Sequence, residues 1–251
     1  MFQEILFWCE FPEEVDWAKL NSLLNNRKCS IFIAASSKKE FLHYKNKIKI
    51  NITVGVWPIL KLKDGYWFSS FASKKDIKQL NQFAGIPMKI DIEPPFPNKK
   101  YGLVSGVFWL IKYTFFKKQI NKKLLQETII KLCKKGDVII SSFAFPKSVR
   151  KLYGYPEDIT CKRNFIFYTT FFPCLWLYYK LFFRYHKHDY FAIGLANHGI
   201  FQNEPQYNSI KDFQDDIQTS KSIGIKKIVI YSIEGILNKP DAKEWLSIIF
   251  Q

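Results

Sequence analysis

Met88-Lys89-Ile90-Asp91-Ile92-Glu93-Pro94-Pro95 reads as a short buried strand that carries two carboxylates and stops at a double proline. Strand side chains alternate, so Asp91 and Glu93 share one face with Lys89 below them, while Ile90 and Ile92 take the other. The same unit recurs on both sides: a short apolar run, a break, then a helical run. Strands are expected at residues 5–11, 30–35, 50–60, 88–93, 137–145, 164–172, 190–196 and 227–233. Helices are expected at 15–24, 38–47, 74–83, 101–135, 146–153, 174–185, 209–222 and 242–250, with Ser36 or Ser37, Ser73, Ser209 and Asp241 at starts and Gly136 at an end. Apolar strands separated by helices form a parallel sheet covered on both faces. Eight such units in 251 residues predict an α/β fold, a (β/α)8 TIM barrel of eight parallel strands, as one domain over residues 1–251. An open doubly wound sheet is the alternative, but Phe11-Pro12-Glu13-Glu14 stands where that fold places a glycine-rich phosphate loop.

Composition narrows the classes. At 47% hydrophobic residues the chain is globular, and a formal charge of +16 attracts nucleic acid, anionic lipid or acidic substrates. The basic residues are scattered and no nucleic-acid module is visible, so nucleic acid is not the expected partner. Lys, Ile, Asn and Phe are all over-used, which an AT-rich coding sequence also produces. Cys9, Cys29, Cys133, Cys161 and Cys174 contain no C-x-x-C pair, so reduced thiols are expected and neither a zinc site nor a disulfide framework. The first residues have no basic region before an apolar one and do not resemble a signal peptide. The apolar stretch 165–183 is broken by Pro173 and carries Lys180, so it is not expected to span a membrane. The expected location is cytoplasmic, peripheral to the membrane if the aromatic helices below touch it.

In such a barrel the chemistry gathers at the C-terminal strand ends. Those positions hold Glu10, Trp57, Asp91, Glu93, Asn197, His198, Tyr231 and Glu234. Parity turns Glu10, Asp91, Glu93 and Glu234 inward, so several acids converge in a basic protein. Buried charges are seldom present unless paired or used. Neighbouring carboxylates split their pKa values, and one can stay protonated near neutrality as a proton donor. Lys89 offers the other outcome, a neutralised polar plug.

Asp91-Ile92-Glu93 at the end of the fourth strand resembles the last part of the D-x-x-D-x-D-x-E signature of family 18 glycoside hydrolases. The resemblance implies that Glu93 is the general acid. It also implies that Asp91 orients an acetamido group of the substrate, which acts as internal nucleophile. The signature's earlier aspartates fall on Lys89 and Ile86, and Glu234 lies near the place where that family carries an eighth-strand Trp.

Trp57, Tyr66 and Trp67 sit at the third strand end and in the aromatic loop 61–72, where rings can stack on sugar faces or pack a self-contained Ω-loop. With Asn197, His198 and Tyr231 they are the expected substrate-binding set. The expected function is a glycoside-hydrolase-like enzyme acting on an intracellular or lipid-linked saccharide. Glu93, Asp91, Glu234 and Glu10 carry its acid/base chemistry, and no metal or cofactor is called for. The alternatives are a metal-dependent barrel enzyme using Glu10, Glu93, His198 and Glu234, and a non-catalytic glycan-binding or membrane-surface barrel. Two aromatic helices with basic neighbours, near Phe108 to Phe116 and Leu175 to Tyr185, suit a membrane interface.

Overall fold

The computed structural model describes residues 1–95, 119–157, 160–170, 176–197, 199–200 and 204–251. Its strands are β1 (Glu4–Cys9), β2 (Ser30–Ala35), β3 (Thr53–Pro58), β4 (Met88–Asp91), β5 (Val138–Phe143), β6 (Lys162–Ile166), β7 (Tyr190–Leu195) and β8 (Lys227–Tyr231). They are parallel and close into a barrel in sequence order, as the alternation predicts. The described helices are α1 (Trp17–Leu24), α2 (Lys38–Lys45), α3 (Lys74–Gln79), α4 (Lys122–Cys133), α5 (Lys147–Leu152), α6 (Trp176–His186), α7 (Ile210–Ser222), α8 (Ile233–Leu237) and α9 (Ala242–Phe250). The contacts divide the chain into two compact units.

The first unit comprises Met1–Ala34, Phe41–Gly55 and Asn164–Gln251. Its centre is β1, paired to β2 on one side and to β8 on the other, with Trp8 opposite both Phe32 and Tyr231. Phe7, Ile31, Ile33, Phe165, Ala192 and Ile228 are fully buried, consistent with strands covered on both faces. Under the helices, Phe213 stacks on Trp245 at 4.9 Å between ring centroids. Local chemistry sets the helix starts. Asp16 Oδ1 accepts from Lys19 N at 2.9 Å, and the Ser209 hydroxyl accepts from Asp212 N at 3.2 Å.

The second unit comprises Ala35–Glu40 and Val56–Arg163. Here β4 pairs with β3 and β5, with Asp91 opposite Ser141. Ile77, Leu80, Leu125 and Ile129 bury the inner faces of α3, the short 3-10 turn after it and α4. Arg150 is buried against Glu157, with two hydrogen bonds of 2.8 and 2.9 Å, and a third of 2.9 Å runs from the same guanidinium to the Phe145 carbonyl. That fork satisfies most donors of an otherwise costly buried charge.

Two expectations need correction. The eighth strand ends at Tyr231 rather than 233, because the Ser232 hydroxyl accepts from Gly235 N at 3.3 Å and starts α8. Glu234 is therefore a helix residue rather than a strand end. Reduced thiols do not hold throughout: Cys133 at the end of α4 is bonded to Cys161 before β6, with Cα atoms 5.9 Å apart, within the usual disulfide range. A C-x-x-C search could not find this pair, because tertiary folding joins residues 28 apart. Of the predicted long helix 101–135, the described part is α4; residues 101–118, including Phe108 to Phe116, lie outside the described residues. No described helix is long and apolar enough to cross a membrane.

Candidate active site

The carboxylates predicted at the strand ends fall into two groups, one in each unit. In the second unit, Lys89 and Asp91 are adjacent on one face of β4, as the alternation predicts. Lys89 is 0% exposed and its Nζ lies 2.7 Å from Asp91 Oδ2. The same ammonium sits 3.3 Å from the centre of the Trp57 ring, a close cation–π contact. Burial pushes the Asp91 carboxyl above the ordinary carboxylate range. Lys89, then the Ser141 and Trp57 side chains, pull it back only in part.

Glu93 lies beyond the strand proper and is buried. Its backbone is held by the aromatic loop: Phe68 N–H donates to the Asp91 carbonyl at 3.2 Å, and Glu93 N–H donates to the Phe68 carbonyl at 3.1 Å. Phe68 and Ile92 thus form a one-rung parallel bridge. The loop closes against the double proline. Gly65 has φ of 102°, and a side chain there would bring Cβ to 2.9 Å from Pro95 Cβ. Tyr66 and Phe68 are buried, while Trp67 is half-buried and meets Tyr66 edge-on at 5.5 Å. Most of the aromatic loop therefore packs on its own side chains and on β4. Trp57 is buried under Lys89, and Trp67 is the member of the predicted aromatic set in this unit that keeps an accessible edge.

In the first unit a second group forms around Glu10, which follows β1. The Tyr231 hydroxyl donates to Glu10 Oε2. Glu234 Oε1 accepts from the backbone N–H of Glu10 at 3.0 Å and of Phe11 at 3.2 Å. Glu234 thus clamps the chain as it leaves β1, from the first turn of α8. It is completely buried, and burial raises its carboxyl to about 7 against the hydrogen bonds that favour the anion. The Cys9 thiol lies beside it and is pushed well above its ordinary range, first by burial and then by the Glu234 charge.

Glu204, in the loop after β7, completes this group and was missed from sequence. Its Oε2 accepts from Gly199 N–H. Burial raises its carboxyl to about 7, offset in part by that hydrogen bond. Gly199 is the pivot: a Cβ there would lie 2.5 Å from the Tyr231 hydroxyl, 2.6 Å from Glu204 Oε2 and 3.2 Å from Glu10 Oε2. Both carboxylate oxygens lie that close to one point, so they are less than about 6 Å apart. The available signal was an acid in the loop after a barrel strand, in Asn203-Glu204-Pro205, with no periodicity to mark it.

Two rings adjoin Glu10's partner: Tyr168, half-buried, at 5.9 Å from Tyr231, and Trp8 at 6.0 Å, edge-on. Asn197 is half-buried and packs on Gly235, where a Cβ would lie 2.3 Å from its own. His198 lies outside the described residues. Among the described residues, no three His, Cys, Asp or Glu side chains are grouped to hold a metal ion.

The two groups differ in what they can do. Lys89 and Asp91 form a buried ion pair, with Glu93 buried just beyond it. Glu10 and Glu204 place one acid with a pKa near neutrality close to a second carboxylate braced by a phenol, the two residue types that donate and accept a proton in acid/base chemistry.

No protein-family model and no curated protein matches the chain. Solved structures share its fold. The glycoside hydrolase domain of PgaB (BpsB) from Bordetella bronchiseptica is similar over 99% of both chains, with a TM-score of 0.61 and 10% identity. An endocellulase from Pyrococcus horikoshii, in a complex with cellotetraose, is similar over 100% of this chain and 92% of its own, with a TM-score of 0.50 and 8% identity. At these identities the likeness is one of fold: the chain forms an eight-stranded α/β barrel of the kind that those two hydrolases also use.

Proposed function

We propose that this barrel is a glycoside-hydrolase-like enzyme that cleaves a saccharide by carboxylate general acid/base catalysis. The observation that carries the proposal is the Glu10–Glu204 pair, with its oxygens less than about 6 Å apart and Glu204 near pKa 7. Glu204, protonated, delivers its proton to the glycosidic oxygen as the bond to the anomeric carbon breaks. The Glu10 carboxylate, held by Tyr231, meets the positive charge that develops on the sugar. Water then adds at the anomeric carbon and returns its proton to Glu204. Glu234 positions Glu10 through the backbone rather than by touching substrate. Tyr168 offers a ring face for a sugar, and the shared fold with two glycoside hydrolases supports the assignment.

Both substrate forms expected from sequence, an intracellular and a lipid-linked saccharide, stay within the proposal. The cytoplasmic expectation included reduced thiols, while the intracellular substrate rested on the signal-peptide reading. The Cys133–Cys161 bond weighs against the thiol part alone, since disulfides persist in oxidising compartments.

The Lys89–Asp91 pair favours a second possibility, a non-catalytic barrel that binds a glycan, because it occupies the acid that the family 18 resemblance makes the helper of Glu93. Reducing-sugar release from a panel of oligosaccharides separates these outcomes. Glu204→Gln is expected to lower turnover by roughly 10²–10⁴-fold, with Glu93→Gln nearly unchanged. Loss confined to Glu93→Gln returns the acid role to β4. Glycan binding by calorimetry with no turnover establishes the non-catalytic alternative.

A further inference from the structure

We infer that the outer face of α6 docks the protein on an anionic membrane surface. Four of the nine strongly exposed large apolar residues among the described ones lie on this one helix: Leu177, Tyr178, Leu181 and Tyr185, from 39% to 85% exposed. At 100° per residue they form one continuous arc about 100° wide, opposite the buried Tyr179 and Phe183. Lys180 and Arg184 border that arc, and Lys187 follows the helix; all three are exposed. The helix Trp176–His186 contains no acid, and the nearest one in sequence, Asp189, is buried and bonded to His186 at 3.0 Å.

The basic border decides the occupant. Leucine with tyrosine on one side of a helix and Lys/Arg beside them is the arrangement of interfacial helices, where rings and aliphatic groups enter the acyl boundary and cations meet lipid phosphates. Each such cation adds about fivefold in attraction to an anionic leaflet. A second copy of this chain would bring the same cations together, and the formal charge of +16 opposes it further. This inference stands independently of the hydrolase proposal, since it involves none of the acids.

The test is co-sedimentation of the full chain with vesicles of phosphatidylcholine containing 30% phosphatidylglycerol, and with phosphatidylcholine alone. Binding is expected to be at least about tenfold tighter to the anionic vesicles and weakened by 0.5 M salt. Leu177→Glu/Leu181→Glu and Lys180→Glu/Arg184→Glu are each expected to lower binding at least about tenfold. Both pairs are on the surface, and unchanged circular dichroism shows that they still fold. Tyr185→Trp, read as the difference from the emission of the seven native tryptophans, supplies a second signal, a blue shift with anionic vesicles. Undiminished binding by both double variants overturns the inference. So does a dimer in light scattering that Leu177→Glu/Leu181→Glu converts to monomer, or a preference for duplex DNA over vesicles that Lys180→Glu/Arg184→Glu abolishes.

Discussion

Replacing Lys89 by Met tests how β4 tolerates an acid in the interior. Met keeps the length of the side chain, so the main loss is the ammonium rather than volume. In the native chain that ammonium is 2.7 Å from Asp91 Oδ2 and 3.3 Å from the centre of the Trp57 ring. Without it Asp91, 2% exposed, is an uncompensated buried carboxylate. Breaking one side of such a pair costs about 3–5 kcal/mol. In a chain of this length that is a fall of roughly 6–20 °C in melting temperature. Asp91→Asn in the Lys89→Met background removes the stranded charge and is expected to restore about 1–3 kcal/mol, the range for coupled neighbours. The deficit also depends on pH. Lys89→Met raises the Asp91 pKa further above its unfolded value, so the folded variant holds a proton that the unfolded chain releases. That contribution is complete below the unfolded pKa, near 4, and is lost as pH rises through the folded one. The deficit is therefore small at pH 4 and full at pH 8. Urea unfolding at both pH values, followed by tryptophan emission, measures it. Lys89→Met within about 0.5 kcal/mol of wild type at pH 8, or strictly additive effects in the double variant, would refute the neutralised pair.

Other outcomes follow from the first unit and the disulfide. Glu234 has a folded pKa of about 7 against 4.5 unfolded, so its contribution is complete below pH 4.5 and lost as pH rises through 7. The unfolding free energy from urea titrations should fall across that window by an amount on the order of 3 kcal/mol, and Glu234→Gln should flatten the fall; an unchanged slope rejects the buried-acid account. Cys133→Ser removes a link between residues 28 apart and is expected to cost about 3–4 kcal/mol by loop entropy. Peptide mapping without reductant must also show the Cys133–Cys161 cross-link. Gly235→Ala drives a Cβ to 2.3 Å from that of Asn197 and should cost about 1–3 kcal/mol. A neutral result in thermal melts would mean that the Asn197 segment yields freely.

The acids at the strand ends serve more than one physical purpose. Asp91 is matched by a cation, Glu234 stays near its protonation midpoint and holds a strand exit, and Glu204, raised to about 7, lies across Gly199 from Glu10. A buried carboxylate therefore marks a place where the fold has accepted a cost, and its neighbours decide whether that cost serves structure or chemistry.

How much was legible follows from the range of the interactions concerned. Strand and helix alternation is a local signal, carried by apolar periodicity and by caps such as Asp16, Ser73 and Ser209, so the barrel could be read from the chain alone. Side-chain parity is also local, and it placed Lys89 beside Asp91 on one face of Met88–Asp91. What periodicity could not supply was any property that depends on who arrives from elsewhere. Glu204 comes from a loop, and its partners Gly199, Tyr231 and Glu10 meet through the pairing of β1, β7 and β8. Glu234 moved from strand to helix because one serine hydroxyl caps the chain two residues early. Cys133 and Cys161 become neighbours only when α4 and β6 are in place. The amino-acid order by itself determined the barrel and the shared face of Lys89 and Asp91, because hydrophobic period and side-chain parity act over a few residues. Only the tertiary structure decided which acid is paired with a cation, which clamps a strand exit and which, like Glu204, has its carboxyl raised by burial, because burial and charge act through space.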